Sequence, residues 1–264
     1  MKRGLLWGLT GLVLLGLFAV GGPVFCRTLD DVIAAVEKGA ANLKDVKGTQ
    51  VIKITVGNDL ITAENDFIAK TPNKFKSTTR IPIPGKKTIQ KVITVCDGNF
   101  IWQHVLPPEE EKIIKMNLTA APGLVEKYQK KFMSTGYGVV SADSLLKLAG
   151  ADYDIKVTGT ARSPEMEMDI MEGTLKKEKK TEEGPGGMTG WNLPVPAKIE
   201  YLVGVKDGFI YQTRGYNKTG KLILEISYRN LKFNTGVKDS VFVFTPPKGV
   251  EIFEASEIVP GLIK

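Results

Sequence analysis

Apolar residues return every three or four positions at Leu29, Ile33, Val36, Ala40 and Leu43, the spacing of one buried helix face. Thr28 stands at the N-cap position, and Asp30 and Asp31 place negative charge in the first turn, where the helix dipole favours it. After Gly48 the period falls to two. Ile52, Ile54 and Val56 alternate with Lys53 and Thr55, and Ile61, Ala63, Phe67 and Ala69 repeat the alternation beyond a Gly57-Asn58-Asp59 turn. Further strands are predicted at Phe75–Ile81, Thr88–Cys96, Phe100–Val105 and Lys112–Leu118, with Asp97-Gly98-Asn99 as a tight hairpin turn.

Pro122 suits a first helical position, with Leu124, Val125, Tyr128 and Phe132 on one face, and Ser141 can cap a second short helix carrying Leu145, Leu146 and Leu148. Strand patterns resume at Tyr153–Thr160, Met166–Leu175, Lys198–Val205, Phe209–Tyr216, Leu222–Phe233 and Val241–Phe244. Long successions of strands without intervening helices argue for antiparallel pairing. The predicted fold is α+β: a single curled antiparallel sheet of about eleven strands, an unclosed β-barrel, covered by the N-terminal helix and the short central lid helices. Such a sheet encloses an apolar lining, a place for a greasy ligand.

Lys2 and Arg3 precede an apolar, glycine-rich run from Leu5 to Val20, a charged n-region followed by an h-region. Residues 1–26 therefore read as a signal peptide or N-terminal anchor, and residues 27–264 as one binding domain. Val24 and Cys26 fit the small-residue positions of a cleavage site that would leave Arg27 first. Cys26 also admits lipidation, against which the bulky Phe25 stands. If Cys26 is removed, Cys96 is the single thiol and no intrachain disulfide can form.

Three phrases then stand in order along the chain: Phe67-Ile-Ala-Lys-Thr-Pro-Asn-Lys-Phe75, Cys96-Asp-Gly-Asn-Phe-Ile-Trp102 and Val241-Phe-Val-Phe-Thr-Pro-Pro-Lys-Gly-Val250. With the order of elements, they resemble the bacterial periplasmic lipoprotein carriers of the LolA family and their LolB- and RseB-type relatives. The resemblance implies a periplasmic carrier that holds lipoprotein acyl chains, or related lipids, in an apolar cavity for transfer between inner and outer membrane. An inner-membrane release complex and an outer-membrane acceptor are the partners it implies, with the protein retained at the inner membrane if the leader is uncut. A regulatory module that senses lipid or lipoprotein and acts on a membrane signalling partner is the alternative. The cavity residues expected are Ile33, Val36, Ile52, Ile54, Phe67, Phe75, Trp102, Met116, Leu124, Tyr128, Leu145, Met166 and Met168. Thr71 stands where the family places a lid-controlling arginine, whose five donors a hydroxyl cannot replace.

Composition adds limits. The formal charge of +7, from 36 Lys and Arg against 29 Asp and Glu, is spread along the chain with one dense stretch at Lys176–Lys180, as on a solvated face. Basic residues are not interleaved with aromatics, so no nucleic acid is expected. His104, the single histidine, shares a strand face with Phe100 and Trp102, without the spacing of a metal ligand or catalytic base. Cys96 reads as a half-buried apolar side chain, Glu109-Glu110-Glu111 as a solvated turn, and Gly184–Gly190 as a flexible loop without a phosphate-loop Lys. Met166, Met168 and Met171 are either core filling or an adaptable ligand surface. Asn117-Leu-Thr119 and Asn217-Lys-Thr219 fit an acceptor pattern that recurs by chance. No enzyme motif, metal or cofactor is expected, and no pattern addresses oligomeric state.

Overall fold

Helix α1 (Leu29–Asn42) begins with a reciprocal cap: the Thr28 hydroxyl accepts from the Asp31 amide, and the Asp31 carboxylate accepts from the Thr28 amide. These details come from a computed structural model that describes residues 27–83, 87–106, 110–119, 150, 152–163, 165–176 and 195–255. The predicted leader and lid helices lie outside the described residues. So does nearly all of the Lys176–Gly190 stretch.

Twelve strands follow: β1 (Asp45–Val56), β2 (Asp59–Lys70), β3 (Lys74–Pro82), β4 (Ile89–Cys96), β5 (Phe100–Leu106), β6 (Lys112–Asn117), β7 (Tyr153–Arg162), β8 (Glu167–Leu175), β9 (Lys198–Gly204), β10 (Ile210–Tyr216), β11 (Leu222–Phe233) and β12 (Ile252–Glu254). They form one sheet in the order β12-β6-β5-β4-β3-β2-β1-β11-β10-β9-β8-β7, not closed into a barrel. All neighbours pair antiparallel except β12 with β6. The sheet is thus two meanders, β1–β6 and β7–β11, joined side by side where β1 pairs with β11.

The expected count of about eleven strands is close, but two elements differ. Val241–Phe244, predicted as a strand, lies partly in a short 3-10 helix (Asp239–Phe242) and then in irregular chain. Its two aromatics pack on a sheet face instead of pairing at an edge, while Val243 is exposed: Phe242 is fully buried, and the Phe244 ring meets Trp102 and His104 at 5.5 and 6.1 Å. Lys70 and Lys74 hold this crossing segment by ion pairs to Asp239 at 2.6 and 2.8 Å. Having crossed the sheet, the chain reaches β6 from the far end, so β12 lies parallel to it.

Because register partners share a face, the pairing sorts the side chains unambiguously. One face carries all three apolar clusters. The opposite face carries Lys53–Glu225 at 2.8 Å, Arg80–Asp66 at 2.7 Å, Arg214–Glu200 at 2.9 Å, Lys198–Glu172 at 2.8 Å and Arg229–Glu64, a ladder of ion pairs linking neighbouring strands. Each is partly solvated and contributes about 0 to 1 kcal/mol.

Where β1 begins, the buried Asp45 carboxylate accepts from the Thr235 amide and hydroxyl at 2.7 and 2.9 Å, and from the Gly236 and Val237 amides at 2.9 and 3.3 Å. Asn234 closes the other side, taking the Lys44 amide at 2.8 Å. Burial alone would raise the Asp45 carboxyl, but these bonds outweigh it and hold the group below the usual carboxylate range. A lowered folded pKa makes this contribution present above about pH 4 and lost as pH falls through the folded value. Asp45→Ala should therefore lower unfolding stability by about 2 to 3 kcal/mol at pH 7. In urea titrations the deficit relative to the parent chain should fade below about pH 4.

Candidate functional site

The apolar face is built in three patches. Val32 and Val36 of α1 press onto Tyr153, Met171, Ile199, Tyr201, Val203 and Ile210 of β7–β10. Ile52, Ile54, Ala63 and Ile81 form a second patch on β1–β3, flanked by Leu224 and Ile226. Cys96, Ile101, Ile114, Met116 and Ala255 form a third on β4–β6 and just after β12, with Phe75 against it. Two glycines let α1 approach its patch: a Cβ on Gly39 would lie 1.8 Å from the Asp207 carbonyl oxygen, and one on Gly208 2.3 Å from that of Ala35.

Between the second and third patches runs a polar seam. Across β11, β1, β2 and β3 the register aligns Tyr228, Gln50, Asn65 and Thr79. They bond in series: Gln50 Nε2 donates to the Tyr228 hydroxyl at 3.0 Å, Asn65 Nδ2 to Gln50 Oε1 at 3.3 Å, and the Thr79 hydroxyl to Asn65 Oδ1 at 3.1 Å. The adjacent rung aligns Phe67, Ser77, Thr94 and Gln103 on β2–β5. All four are buried, and Gln103 Oε1 has no hydrogen-bond partner among the described residues. An unpaired buried carbonyl of this kind costs about 1 to 3 kcal/mol, so its presence asks for a reason.

A second buried polar group lies beneath the helix start. Asp169 on β8 is fully buried and receives the Arg27 guanidinium at 2.7 Å, while Arg27 also donates to the Asp31 carbonyl. Burial pushes the Asp169 carboxyl up, and Arg27 works against that rise.

Comparison with known proteins gives fold likenesses at low identity. An uncharacterized conserved protein from Thermus thermophilus is 10% identical, with a TM-score of 0.49 over 85% of this chain and 98% of its own. A LolA superfamily protein from Nitrosomonas europaea is 11% identical, with a TM-score of 0.31 over 83% and 98%. MucB, solved in complex with MucA from Pseudomonas aeruginosa, is 11% identical with a TM-score of 0.42, and the match spans 81% of this chain but 60% of that one. No family model and no curated protein matches the chain.

The expected cavity residues divide. Ile52, Ile54, Phe67, Phe75 and Met116 share the apolar face, and Ile33 and Val36 lie in the α1 patch of that face. Trp102 points to the other face, against Phe244, because its neighbour Ile101 is the one in register with Cys96 and Met116. Met168 likewise alternates away from the buried Met171, and Met166 sits in the turn before β8. Leu124, Tyr128 and Leu145 lie outside the described residues. Thr71 donates its hydroxyl to the Lys44 carbonyl at 3.2 Å, joining the β2–β3 turn to the start of β1.

Cys96, expected half-buried, is buried, with its thiol 3.0 Å from the Asn73 carbonyl and pushed up by burial to about 11, so it is a poor nucleophile. Glu111, expected to be a solvated turn residue, reaches the buried His104 Nε2 at 2.7 Å. Among the described residues no His, Cys, Asp or Glu group is gathered to hold a metal, and no helix is long and apolar enough to cross a membrane. Sequence reasoning missed the polar seam, whose signal was polar residues at core-facing positions of alternating strands: Gln50, Asn65, Ser77 and Thr94.

Breaking the Arg27–Asp169 pair would strand a charge in the core. Arg27→Gln should lower stability by about 3 kcal/mol at pH 7. The raised Asp169 pKa means that its protonated form favours folding: stability from this group is full below about pH 4 and declines as pH rises through the folded value. The deficit of the variant, read from denaturant midpoints, should accordingly shrink as pH is lowered from 7 toward 4.

Proposed function

We propose that this chain is a non-enzymatic carrier that binds acyl chains of lipoproteins, or related lipids, on the apolar face of its sheet, and that it acts after export to the periplasm. The apolar patches supply the energetics. Each methylene withdrawn from water contributes about 0.8 kcal/mol, so a long acyl chain needs little else to be held.

The polar seam carries the proposal. A face that served only as packed core would do better with apolar residues at Ser77, Thr94 and Gln103, since the buried Gln103 carbonyl lacks a partner among the described residues. A lipid brings both kinds of surface: chains for the patches, and ester, amide or hydroxyl groups at the chain junction for the seam. Gln103 offers both a donor and an acceptor to such a junction. In this reading residues 27–264 are one binding domain, and no bond is made or broken.

The test pairs stability with binding. Gln103→Leu removes the unpaired carbonyl at similar volume, so stability should rise by about 1 kcal/mol. Affinity for a fluorescent diacylglycerol probe should fall about tenfold, the worth of about one hydrogen bond. Native mass spectrometry of the chain expressed for export should show acyl-lipid adducts on the parent and fewer on the variant. No probe uptake by the parent protein, or equal uptake by both, would overturn the proposal.

A further inference from the structure

On the charged face, several basic residues of the central strands have an acidic partner one strand away, as in Lys53–Glu225, Arg229–Glu64, Arg80–Asp66 and Arg214–Glu200. One rung gathers three basic residues without such partners. Register places Lys47 of β1 directly opposite Lys232 of β11 on one side and opposite Ile68 of β2 on the other, and Ile68 opposite Lys76 of β3. The rung thus reads Lys232, Lys47, Ile68, Lys76 across four strands. None of the three lysines forms an ion pair among the described residues.

Like charges directly opposite on neighbouring strands destabilise a sheet, so the Lys47–Lys232 pair carries a cost. The lysines line a groove of about 370 Å³ together with Thr49, Thr78 and Asn230. Asn230 is the extra residue of a bulge in β11, at φ 57°, opposite the Lys47–Thr49 stretch of β1. The one acidic side chain in the groove, Asp66, is already engaged: it accepts from Arg80 at 2.7 Å and Thr49 at 2.8 Å, and the Arg80 bond leads the causes that hold its carboxyl below the usual range. The groove therefore presents uncompensated positive charge.

We propose that this lysine rung docks the protein on an anionic membrane surface, with phospholipid phosphates entering the groove. Lysine ammoniums are hydrated point charges on flexible stems, without the fork of arginine or a nest of backbone amides. Three of them in a line suit an array of lipid phosphates better than one tightly caged anion. Lys232 is exposed, Lys47 and Lys76 are half-buried beside Ile68 at the groove, and the +7 net charge of the chain acts in the same direction.

The test uses the full chain, expressed for export so that any processing of residues 1–26 is the same in every variant. Sedimentation is measured with vesicles of phosphatidylglycerol and phosphatidylcholine in a 3:7 ratio, and with pure phosphatidylcholine, at low salt. Each lysine at such a surface contributes about fivefold, so the triple variant Lys47→Gln, Lys76→Gln, Lys232→Gln should lose about a hundredfold in binding to the anionic vesicles. The control triple Lys38→Gln, Lys156→Gln, Lys221→Gln removes the same charge from other exposed positions and should lose less than about fivefold. The groove variant should melt at the same temperature as the parent or higher, because a repulsion has been removed. Equal losses in the two triples would overturn the proposal in favour of diffuse charge. So would absence of preference for anionic vesicles in the parent, or displacement by millimolar inorganic phosphate at constant ionic strength, which would mark a free-phosphate site.

Discussion

The pairing of β1 with β11 is the constraint on which the rest depends. It joins residues about 180 positions apart, Val46 with Phe233 and Ile54 with Leu224, and among the described residues it is the single strand pairing between the two meanders. Closing so long a loop is entropically expensive, and the seam is secured at more than one level. Ile52 meets Ile226 on the apolar face, Lys53 meets Glu225 on the charged one, and Asp45 gathers the amides that follow β11. Without that seam the α1 patch would belong to a different sheet from the β1–β6 patches, and no continuous apolar face would exist.

The same seam sets the chemistry of both faces. Register along β1 decides that Gln50 extends toward Asn65 and Tyr228 in one layer, while Lys47 meets Lys232 in the other. A slip of one residue would exchange the layers and bury the lysines. The proposed lipid seat and the proposed membrane contact are therefore opposite sides of one pairing pattern. A chain that receives a lipid from a bilayer has use for both: a surface that finds the membrane by charge and a surface that shelters what it takes.

Buried polar groups divide into those that hold the fold and those that do not. Asp45 has partners, and so has one oxygen of Asp169, whose removal exposes the cost of burial. Gln103 Oε1 and the other Asp169 oxygen have no partner among the described residues. His104 and Cys96 are committed to Glu111 and to the Asn73 carbonyl, respectively, which accounts for the single histidine and for Cys96 as packing residues.

Sequence by itself determined most of the local structure. The 3.6-residue period, the Thr28 cap and the two-residue alternation of Ile52–Ala69 are consequences of covalent geometry and backbone hydrogen bonding, so α1 and eleven of the twelve strands were legible from nearest neighbours along the chain. Tertiary structure decided what alternation cannot: which strands become neighbours and in what register. Alternation placed Trp102 on a strand without saying which face was shared with Met116, and it read Val241–Phe244 as a strand because a segment laid across a sheet has the same composition as one within it. The three-lysine rung and the polar seam are each assembled from strands that only long-range pairing brings together, and a one-dimensional pattern holds no record of that pairing.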